Sequence, residues 1–508
     1  MQDNLYSDEV SREKLIAGIK KASAVVGGTM GTSGHNALIE CFEHPKHFTT
    51  NDGITILSAM KFSDPLEEMG RQLLEEAVSR ANRASGDGSS TTCVLCSSIL
   101  ETAQPYLKDI SPMELQRQLE DCIPLIEDSL KAQRKEITVD TVGQVATISA
   151  ESEDIGNRIQ EIYQKIGKNG IINWDTSKTP EDSYSIGNGI TIHDAKYATQ
   201  YMSDVGMSEA RLDDVAVLLC GDKITSALEI DALCGQMFEK GHRQLALFCD
   251  DIDAVAVYDI LQTQRLRGFR TVVIKMPVLW RDEWWEDLVL ASGGKLISKT
   301  VGKPLPKATV NDLGAFQHVI VKRDETIIEG IQDLSKHILA LQVDGSDEAL
   351  NRVARLNTMT ARYFVGAHSE SALKQKRDKV EDAINAASCA LEHGILPGGG
   401  VALVFAGMHA LQETKGTVGA KILQVALEAP FDQIVKNAGI KNAQARRDGW
   451  GIDTRTGEFV DMFKVGVVDA YDVVLNAVKS AIGVSASVLT TKSTILLPKD
   501  DSPQMPRV

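Results

Sequence analysis

Cysteine is scarce in this sequence, which also lacks an excess of positive charge. Eight cysteines scattered over 508 residues do not form a disulfide framework, so a reducing compartment is the simpler interpretation. Asp and Glu together number 70 against 54 Lys and Arg, which gives a formal charge of −16. Such a charge repels nucleic acid and anionic membrane surfaces. The composition therefore predicts that the protein has no nucleic-acid partner and does not bind a membrane.

Targeting segments and long apolar runs are missing as well. Residues 1–20 alternate charged and apolar side chains and lack the basic and apolar regions of a signal peptide. No later run is apolar enough to predict a membrane span. We therefore expect a protein of the cytoplasm. With 43% hydrophobic residues the chain can bury a large core, and its length predicts about two to four domains.

A Walker A motif is absent, which excludes a P-loop mechanism for any nucleotide chemistry. Residues 86–92 instead read Gly-Asp-Gly-Ser-Ser-Thr-Thr and open a predicted helix. Two glycines let several backbone amides turn toward one anion, and the helix N-terminus adds positive potential there. This stretch predicts a phosphate and metal seat with Asp87 as the Mg²⁺ ligand. A plain turn with a helix N-cap is the alternative.

Two stretches upstream fit either a site or ordinary structure. Residues 29–36 read Thr-Met-Gly-Thr-Ser-Gly-His-Asn and follow a predicted helix, so they form either a second phosphate loop or a helix C-cap with a turn. Asp52 and Gly53 predict a turn before an alternating strand at residues 54–56. That turn either belongs to a hairpin or brings a second carboxylate, that of Asp52, near Asp87.

A third upstream group has metal-ligand spacing but contains only three candidate ligands. A structural metal site needs a fourth ligand, and none is obvious in the sequence, so a turn between strands is the preferred interpretation. The three residues are Cys41, His44 and His47.

The middle of the chain changes from helical to alternating character. Residues 165–172 predict a short helix-turn-strand unit that is too small for a core of its own and indicates a connecting domain. Beyond it, strand-like runs alternate with helical ones, which predicts a separate α/β domain. These runs are residues 215–219, 245–249 and 271–274. A helical pattern returns at residues 374–408.

Four separated motifs make the chain resemble a group I chaperonin of the GroEL type over nearly its whole length. Residues 29–36 correspond to the family's Thr-Leu-Gly-Pro-Lys-Gly-Arg-Asn, and residues 52–56 to its Asp-Gly-Val-Thr-Val. Residues 86–91 correspond to Gly-Asp-Gly-Thr-Thr-Thr. Residues 380–383 match the Val-Glu-Asp-Ala that leads to a triple glycine, here residues 398–400. The motifs keep the order and nearly the spacing of the family.

The resemblance implies a multidomain α+β/α chaperonin fold. We expect a mostly helical equatorial domain, a small intermediate domain and an α/β apical, client-binding domain. The implied bounds are 1–131 and 393–508 for the equatorial domain, 132–188 and 367–392 for the intermediate domain, and 189–366 for the apical domain. Gly189 and Gly366 fall where the family has its hinge.

The resemblance also implies an ATP-dependent chaperonin ATPase, which captures non-native polypeptides in a ring cavity and promotes their folding. The expected ring is a homo-oligomer of about seven subunits, single or double, and the need for a co-chaperonin stays open. ATP and Mg²⁺ are the implied cofactors, with K⁺ as a further candidate.

Individual site residues carry over onto the matching positions. Asp52 and Asp382 are the implied catalytic residues, which orient the attacking water, and Asp87 is the implied Mg²⁺ ligand. Without the other motifs, Asp382 would be an exposed helix acid paired with Lys379. The implied nucleotide-binding residues are Thr29, Met30, Gly31, Gly86, Asp87, Gly88, Ser89, Ser90, Thr91, Gly398, Gly399, Asp453 and Asp469.

The implied client-binding residues form apolar stripes at helical spacing in the apical segment, together with the loop before them. The alternative is that they pack on the apical sheet, as apolar stripes commonly do. These residues are Tyr197, Tyr201, Met202, Ile230, Leu233, Val257, Ile260 and Leu261.

Two departures from the family affect the expected activity. The lysine that precedes the family's Asp-Gly is Asn51 here, which removes a cation from beside the γ-phosphate, and the Pro-Lys pair of the first loop is Thr32-Ser33. The hydrolysis rate and the K⁺ dependence therefore stay open. The alternative function is a nucleotide-binding ring that acts as a holdase or scaffold with weak ATPase activity. Such divergence is expected of a chaperonin encoded by a bacteriophage, which would work in the host cytoplasm.

Overall fold

The computed structural model describes residues 5–7, 9–40, 47–199, 202, 204, 209–279, 281–323, 325–344, 346–356, 358–441 and 447–496. The chain forms two compact units. We call the first, residues 1–168, 174–183 and 363–508, the helical unit. The second, residues 169–173 and 184–362, is the sheet unit. The further division of the helical unit into equatorial and intermediate domains stays a prediction.

Helices make up most of the helical unit. The described helices are α1 (Glu9–Gly27), α2 (Gly53–Ala59), α3 (Pro65–Ser85), α4 (Ser89–Ala103), α5 (Pro112–Gln133), α6 (Gly143–Ala150), α7 (Glu153–Ile166), α8 (Leu228–Glu239), α9 (Ala254–Arg267), α10 (Arg281–Ser292), α11 (Ser335–Asp344), α12 (Asp347–Leu356), α13 (Glu370–His393), α14 (Val401–Glu413), α15 (Val418–Asn437) and α16 (Tyr471–Thr490). The sheet unit holds α8 to α12, and the helical unit holds the others.

Most of the strands belong to one mixed sheet. The described strands are β1 (Leu5–Ser7), β2 (Ala37–Glu40), β3 (His47–Thr50), β4 (Ile171–Thr176), β5 (Ser183–His193), β6 (Lys196–Tyr197), β7 (Ala210–Ile224), β8 (Gln244–Ile252), β9 (Arg270–Lys275), β10 (Leu296–Ile297), β11 (Gly314–Val321), β12 (Glu325–Glu329), β13 (Thr358–Val365), β14 (Ile395–Pro397), β15 (Trp450–Asp453), β16 (Glu458–Asp461), β17 (Val468–Ala470) and β18 (Ser493–Ile495). The large sheet runs β4-β13-β5-β12-β11-β7-β8-β9-β6, with β10 beside β7. The other strands form the pairs β1-β18, β2-β3, β14-β17 and β15-β16.

Apolar, buried strands form one part of the large sheet. β7, β8 and β9 run parallel to one another, and their register pairs Leu219 with Phe248 and Phe248 with Ile274. Near-continuous apolar runs are typical of parallel strands that are covered on both faces. α8 connects β7 to β8, and α9 connects β8 to β9. The predicted α/β alternation is therefore confirmed.

The core of the helical unit lies between long helices from both ends of the chain. Fully buried side chains from α1, α3, α4, α5, α15 and α16 join one apolar cluster, for example Leu15, Leu74, Leu95, Leu119 and Leu423. Their helical spacing in the sequence gives each helix one buried face. Segments that are hundreds of residues apart thus fold as one body.

The prediction of a strand at residues 54–56 is wrong, because Gly53–Ala59 form α2. The Asp52 side chain caps this helix by accepting hydrogen bonds from the backbone N–H of Ile54, at 3.3 Å, and of Thr55, at 2.8 Å. Alternating apolar residues over so short a stretch fit a strand and a helical turn alike, and the aspartate N-cap favours the helix. The cap fixes the position of the Asp52 carboxylate.

α16 also differs from expectation. Among the described helices, it alone is long and apolar enough to cross a membrane by length and composition, whereas the sequence predicted no such run. However, 72% of its most apolar 18-residue stretch is buried inside the structure. Core helices commonly have this composition, since a helix that is surrounded by others is apolar on all sides.

Candidate functional site

A cavity of about 470 Å³ lies in the helical unit, a volume within the usual range of small-molecule sites. It is lined by the loop after α1, the residues before α2, the starts of α4 and α14, the end of α6, the middle of α13, and the strands β15 and β17. The predicted site residues on its wall are Thr29, Met30, Gly31, Asp52, Asp87, Gly88, Ser89, Ser90, Thr91, Asp382, Gly399, Asp453 and Asp469. Gly86 and Gly398 adjoin the wall in sequence and do not line it.

The turn between α3 and α4 has the geometry that its two glycines predict. Gly86 ends α3 with φ 69° and Gly88 begins α4 with φ 93°, both in the left-handed region that favours glycine. No side chain caps α4. The first amides of a helix have no partner within the helix, so they are free to bind an anion in the cavity. Ser89 and Ser90 add hydroxyls beside them.

Asp87 is held between this turn and α6. Its Oδ2 accepts a hydrogen bond from Ser149 Oγ at 2.7 Å, and its Oδ1 accepts one from the Gly88 N–H at 2.5 Å. Burial raises the pKa of Asp87, and the nearby carboxylates of Asp52 and Glu151 raise it further, against the effect of the two hydrogen bonds. A bound cation would oppose this shift, because it favours the ionised carboxylate.

Other acids on the wall are perturbed for the same reasons. Burial and the charges of Asp87 and Asp52 raise the pKa of Asp382 well above its ordinary value. Burial and the Asp52 carboxylate raise the pKa of Asp378 to about 6. Burial and the Asp87 carboxylate raise the pKa of Asp469 to about 7. Perturbed acids that cluster in one cleft are typical of functional sites.

These acids fit a magnesium site of the kind that a nucleotide completes. Among the described residues, no three His, Cys, Asp or Glu side chains converge to hold a metal by themselves. Mg²⁺ is usually bound by one or two carboxylates together with substrate phosphates and water. Asp87 alone can therefore supply the protein ligand, and this role stays a prediction. Cys41 and His44 of the disfavoured metal group lie outside the described residues.

Asp382 lies on a face of α13 that borders the cavity. Asp378 precedes it by one turn and Ala386 follows it by one turn, and all three line the wall. Pairing between Asp382 and Lys379 does not occur, because Lys379 Nζ donates a hydrogen bond to Glu151 Oε2 at 2.9 Å. Helical spacing from Asp382 would have identified Asp378 from the sequence.

Short strands form another part of the cavity wall. Asp453, the last residue of β15, accepts hydrogen bonds at Oδ1 from the Arg455 backbone N–H, at 2.9 Å, and from Arg455 Nε, at 3.3 Å. Asp469 lies in β17 opposite Leu396 of β14. Sequence reasoning missed Glu151 and Arg455, because nothing local marks them as cavity residues. It considered Lys379 only as an ion-pair partner of Asp382, although its spacing from Asp382 places it on the same side of α13.

The client-binding expectation needs correction in the sheet unit. Four of the predicted residues are at most 4% exposed and belong to the core of the unit, namely Met202, Ile230, Leu233 and Ile260. Their helical spacing marks the face that packs on the sheet. Tyr197, Val257 and Leu261 are half-buried against the same core, and Tyr201 lies outside the described residues. The opposite faces of α8 and α9 expose Leu228 at 81%, Val255 at 70% and Tyr258 at 61%.

Comparison with known proteins agrees with this architecture. The model of the TCP-1/cpn60 chaperonin family matches residues 23–229 and 229–498. The fold is similar to two crystal forms of the chaperonin gp146 from the bacteriophage EL 2 (Pseudomonas aeruginosa), both solved in the presence of ATP-BeFx. Identity is 19%, coverage is 98% of this chain and 100% of the other, and the TM-scores are 0.67 for form I and 0.72 for form II.

Because the family model covers nearly the whole described chain, this chain belongs to the TCP-1/cpn60 chaperonin family. The predicted chaperonin fold and the resemblance to a bacteriophage chaperonin are confirmed. The three-domain bounds and the roles of individual site residues stay predictions.

The raised pKa values of Asp469, about 7, and Asp378, about 6, predict how stability depends on pH. The folded protein holds protons here that the unfolded chain loses near its ordinary pKa of about 4. This stabilisation is complete below about pH 4 and is lost as the pH rises through about 6 to 7. We expect Asp469→Asn to reduce the fall in unfolding temperature of the nucleotide-free protein between about pH 5 and pH 8, measured by scanning calorimetry.

Asp64 provides a control, because its pKa is shifted in the opposite direction. Its hydrogen bond from Lys14 Nζ lowers its pKa, so its stabilisation is present above the ordinary pKa and is lost as the pH falls. Asp64→Asn should lower the unfolding temperature at neutral pH without changing the slope between about pH 5 and pH 8. An unchanged slope in Asp469→Asn would contradict the assignment.

Proposed function

We propose that this chaperonin is an ATPase that captures non-native polypeptides and promotes their folding through ATP binding and hydrolysis. One observation carries the proposal, namely that the uncapped start of α4, Asp87, Asp52 and Asp382 meet in one cavity of about 470 Å³. The similarity to a chaperonin solved with ATP-BeFx supports nucleotide as the ligand. The metal ion that accompanies a nucleotide would offset part of the charge of the acids that line this wall.

Binding would use residues from several elements of the cavity wall. The amides at the start of α4 and the hydroxyls of Ser89 and Ser90 would hold phosphate oxygens, and Asp87 would hold Mg²⁺. Mg²⁺ supplies charge neutralisation at the phosphates when bound. Asp469 and Asp453 line the same cavity and would contact the nucleoside, as the family resemblance implies for these positions. K⁺ stays a further candidate.

Hydrolysis would depend on two carboxylates that approach from different elements. Asp52 is held in place as the N-cap of α2, and Asp382 projects from α13. Both line the cavity, so together they can orient a water molecule toward a terminal phosphate. The raised pKa of Asp382 makes its carboxylate a better proton acceptor than an ordinary aspartate.

Substitution of Asp382 should separate binding from hydrolysis. We expect Asp382→Ala to bind ATP nearly normally and to hydrolyse it about 10- to 1,000-fold more slowly, as for other water-positioning groups. Asp87→Ala should weaken both, since it removes the metal ligand. Nucleotide titration and steady-state phosphate release measure the two effects.

Glu392 is a matched control for this pair. It is an acid on the same helix, and its side chain is 72% exposed. Glu392→Ala should therefore bind and hydrolyse ATP normally. Wild-type turnover in Asp382→Ala would remove Asp382 from the mechanism and leave Asp52 as the remaining candidate.

Client capture would use the exposed faces of α8 and α9. Leu228, Val255 and Tyr258 are apolar side chains that the sheet does not cover. Monomeric proteins rarely leave contiguous apolar surface exposed, and such surface commonly binds a partner. Non-native polypeptides expose complementary apolar segments.

Charge on this surface should abolish capture without unfolding the chain. We expect Tyr258→Glu to lose suppression of the aggregation of a denatured protein while it keeps ATP binding. Ile260→Glu should instead unfold the sheet unit, because the carboxylate would be buried in its core. Val343→Glu, at an 87% exposed site on α11, controls for added surface charge. Normal capture by Tyr258→Glu would place the client surface elsewhere.

A holdase or scaffold with weak ATPase activity is the second candidate. It is favoured by Asn51, which lines the cavity where the family carries a lysine. ATP turnover with and without denatured client separates the two functions, since stimulation by client supports the folding machine. We expect either form to work in the cytoplasm, and the need for a co-chaperonin stays open.

Ring assembly is the last part of the proposal. Near the chain ends, β1 pairs with β18, where Leu5 lies opposite Ile495, and Ile495 is 70% exposed. An isolated two-stranded pair leaves open edges that suit a neighbouring subunit. We expect light scattering to give a mass of about seven chains or a multiple, and Ile495→Glu to reduce it. A monomer with and without ATP would contradict the ring.

A further inference from the structure

The cavity has a charge imbalance that ATP would increase. Of the lining residues that the structure describes, only Lys379 and Arg455 are basic. The acidic lining residues are Asp52, Asp87, Glu151, Glu153, Asp378, Asp382, Asp453 and Asp469. A nucleotide triphosphate adds further negative charge, which one divalent cation offsets only in part. A basic side chain beside the phosphates would therefore contribute to nucleotide binding.

Arg455 is engaged by other acids. Its Nε lies 3.3 Å from Asp453 Oδ1, its Nη1 lies 3.9 Å from Glu153 Oε1, and its side chain is 54% exposed. Lys374 and Arg377, which share α13 with Lys379, lie over the rings of Phe48 and Trp174. Lys379 is thus the basic lining residue on the helix that carries Asp382.

Lys379 lies close to the site of the missing family lysine. Its Nζ donates to Glu151 Oε2 at 2.9 Å, and Asn51 Nδ2 donates to the same oxygen at 3.0 Å. Because both nitrogens bond one oxygen, the ammonium lies at most about 6 Å from the Asn51 amide. Residues that are distant in sequence therefore bring the Lys379 ammonium close to Asn51, which replaces the family's lysine.

The ion pair between Lys379 and Glu151 can be exchanged. Their side chains are 24% and 29% exposed, and partly exposed pairs contribute little stability. A phosphate is a stronger partner for an ammonium than a single carboxylate, because its charge is larger and it offers more acceptor oxygens. Lys379 also lies three residues before Asp382, so both project from one side of α13 into the cavity.

We propose that Lys379 is the phosphate-binding cation of this site. Glu151 holds the ammonium in the nucleotide-free chain, and ATP takes the place of Glu151 as its partner at the terminal phosphate. This inference rests on the proposed ATPase function and deepens it. Lys379 then determines specificity for nucleoside triphosphate over diphosphate. The sequence alone offered no residue for this role, because Asn51 replaces the family's lysine.

Nucleotide titration of the full chain in the presence of Mg²⁺ tests this. We expect Lys379→Met to weaken ATP binding about 10- to 100-fold, as for loss of a charged hydrogen bond, and to change ADP binding little. The double variant Asn51→Lys with Lys379→Met should restore the preference for ATP. Lys376→Met controls for loss of an ion pair on the same helix, because Lys376 pairs with Asp182.

Glu151→Gln separates a phosphate contact from a structural pair. If Lys379 binds phosphate, releasing it from Glu151 should leave ATP binding equal or tighter. Weakened ATP binding in Glu151→Gln, together with no rescue by Asn51→Lys, would overturn the inference. An unchanged preference for ATP in Lys379→Met would overturn this inference alone, whereas a wild-type chain that binds no ATP would overturn the proposed function as well.

Discussion

The burial of several carboxylates in one cavity is the constraint that governs the candidate site. Burial raises the pKa of both Asp382 and Asp469, and the Asp87 carboxylate acts in the same direction. Their ionisation is therefore linked to whatever positive charge enters the cavity. A site of this kind favours a ligand that brings a cation with it, and magnesium nucleotide meets that requirement.

The cavity exists only because distant parts of the chain fold together. One side of its wall comes from residues 29–153 and the other from residues 378–474, while the sheet unit occupies the sequence between them. A ligand that contacts both α4 and α13 therefore bridges two segments that are far apart in the sequence. Occupancy of the cavity should in this way influence the position of α13, since a ligand stabilises the arrangement that it contacts best.

Two helices of the sheet unit have apolar side chains both in the core and on the exposed surface. α8 buries Ile230 and Leu233 against the sheet and exposes Leu228, and α9 buries Ile260 while it exposes Tyr258. The inward stripe stabilises the unit, and the outward residues remain available for a partner. Helical spacing does not decide which side is buried, because both faces of these helices contain apolar residues.

The sequence by itself determined those features that depend on neighbouring residues. The turn at Gly86 and Gly88 and the alternation of strands and helices in the sheet unit follow from backbone freedom and apolar runs. Tertiary structure decided the rest. The Asn51–Glu151 and Glu151–Lys379 contacts join residues 100 and 228 positions apart, so no local pattern could predict them. Only the packing of α8 and α9 on the sheet decided which of their apolar side chains are buried, because burial depends on what lies against a face.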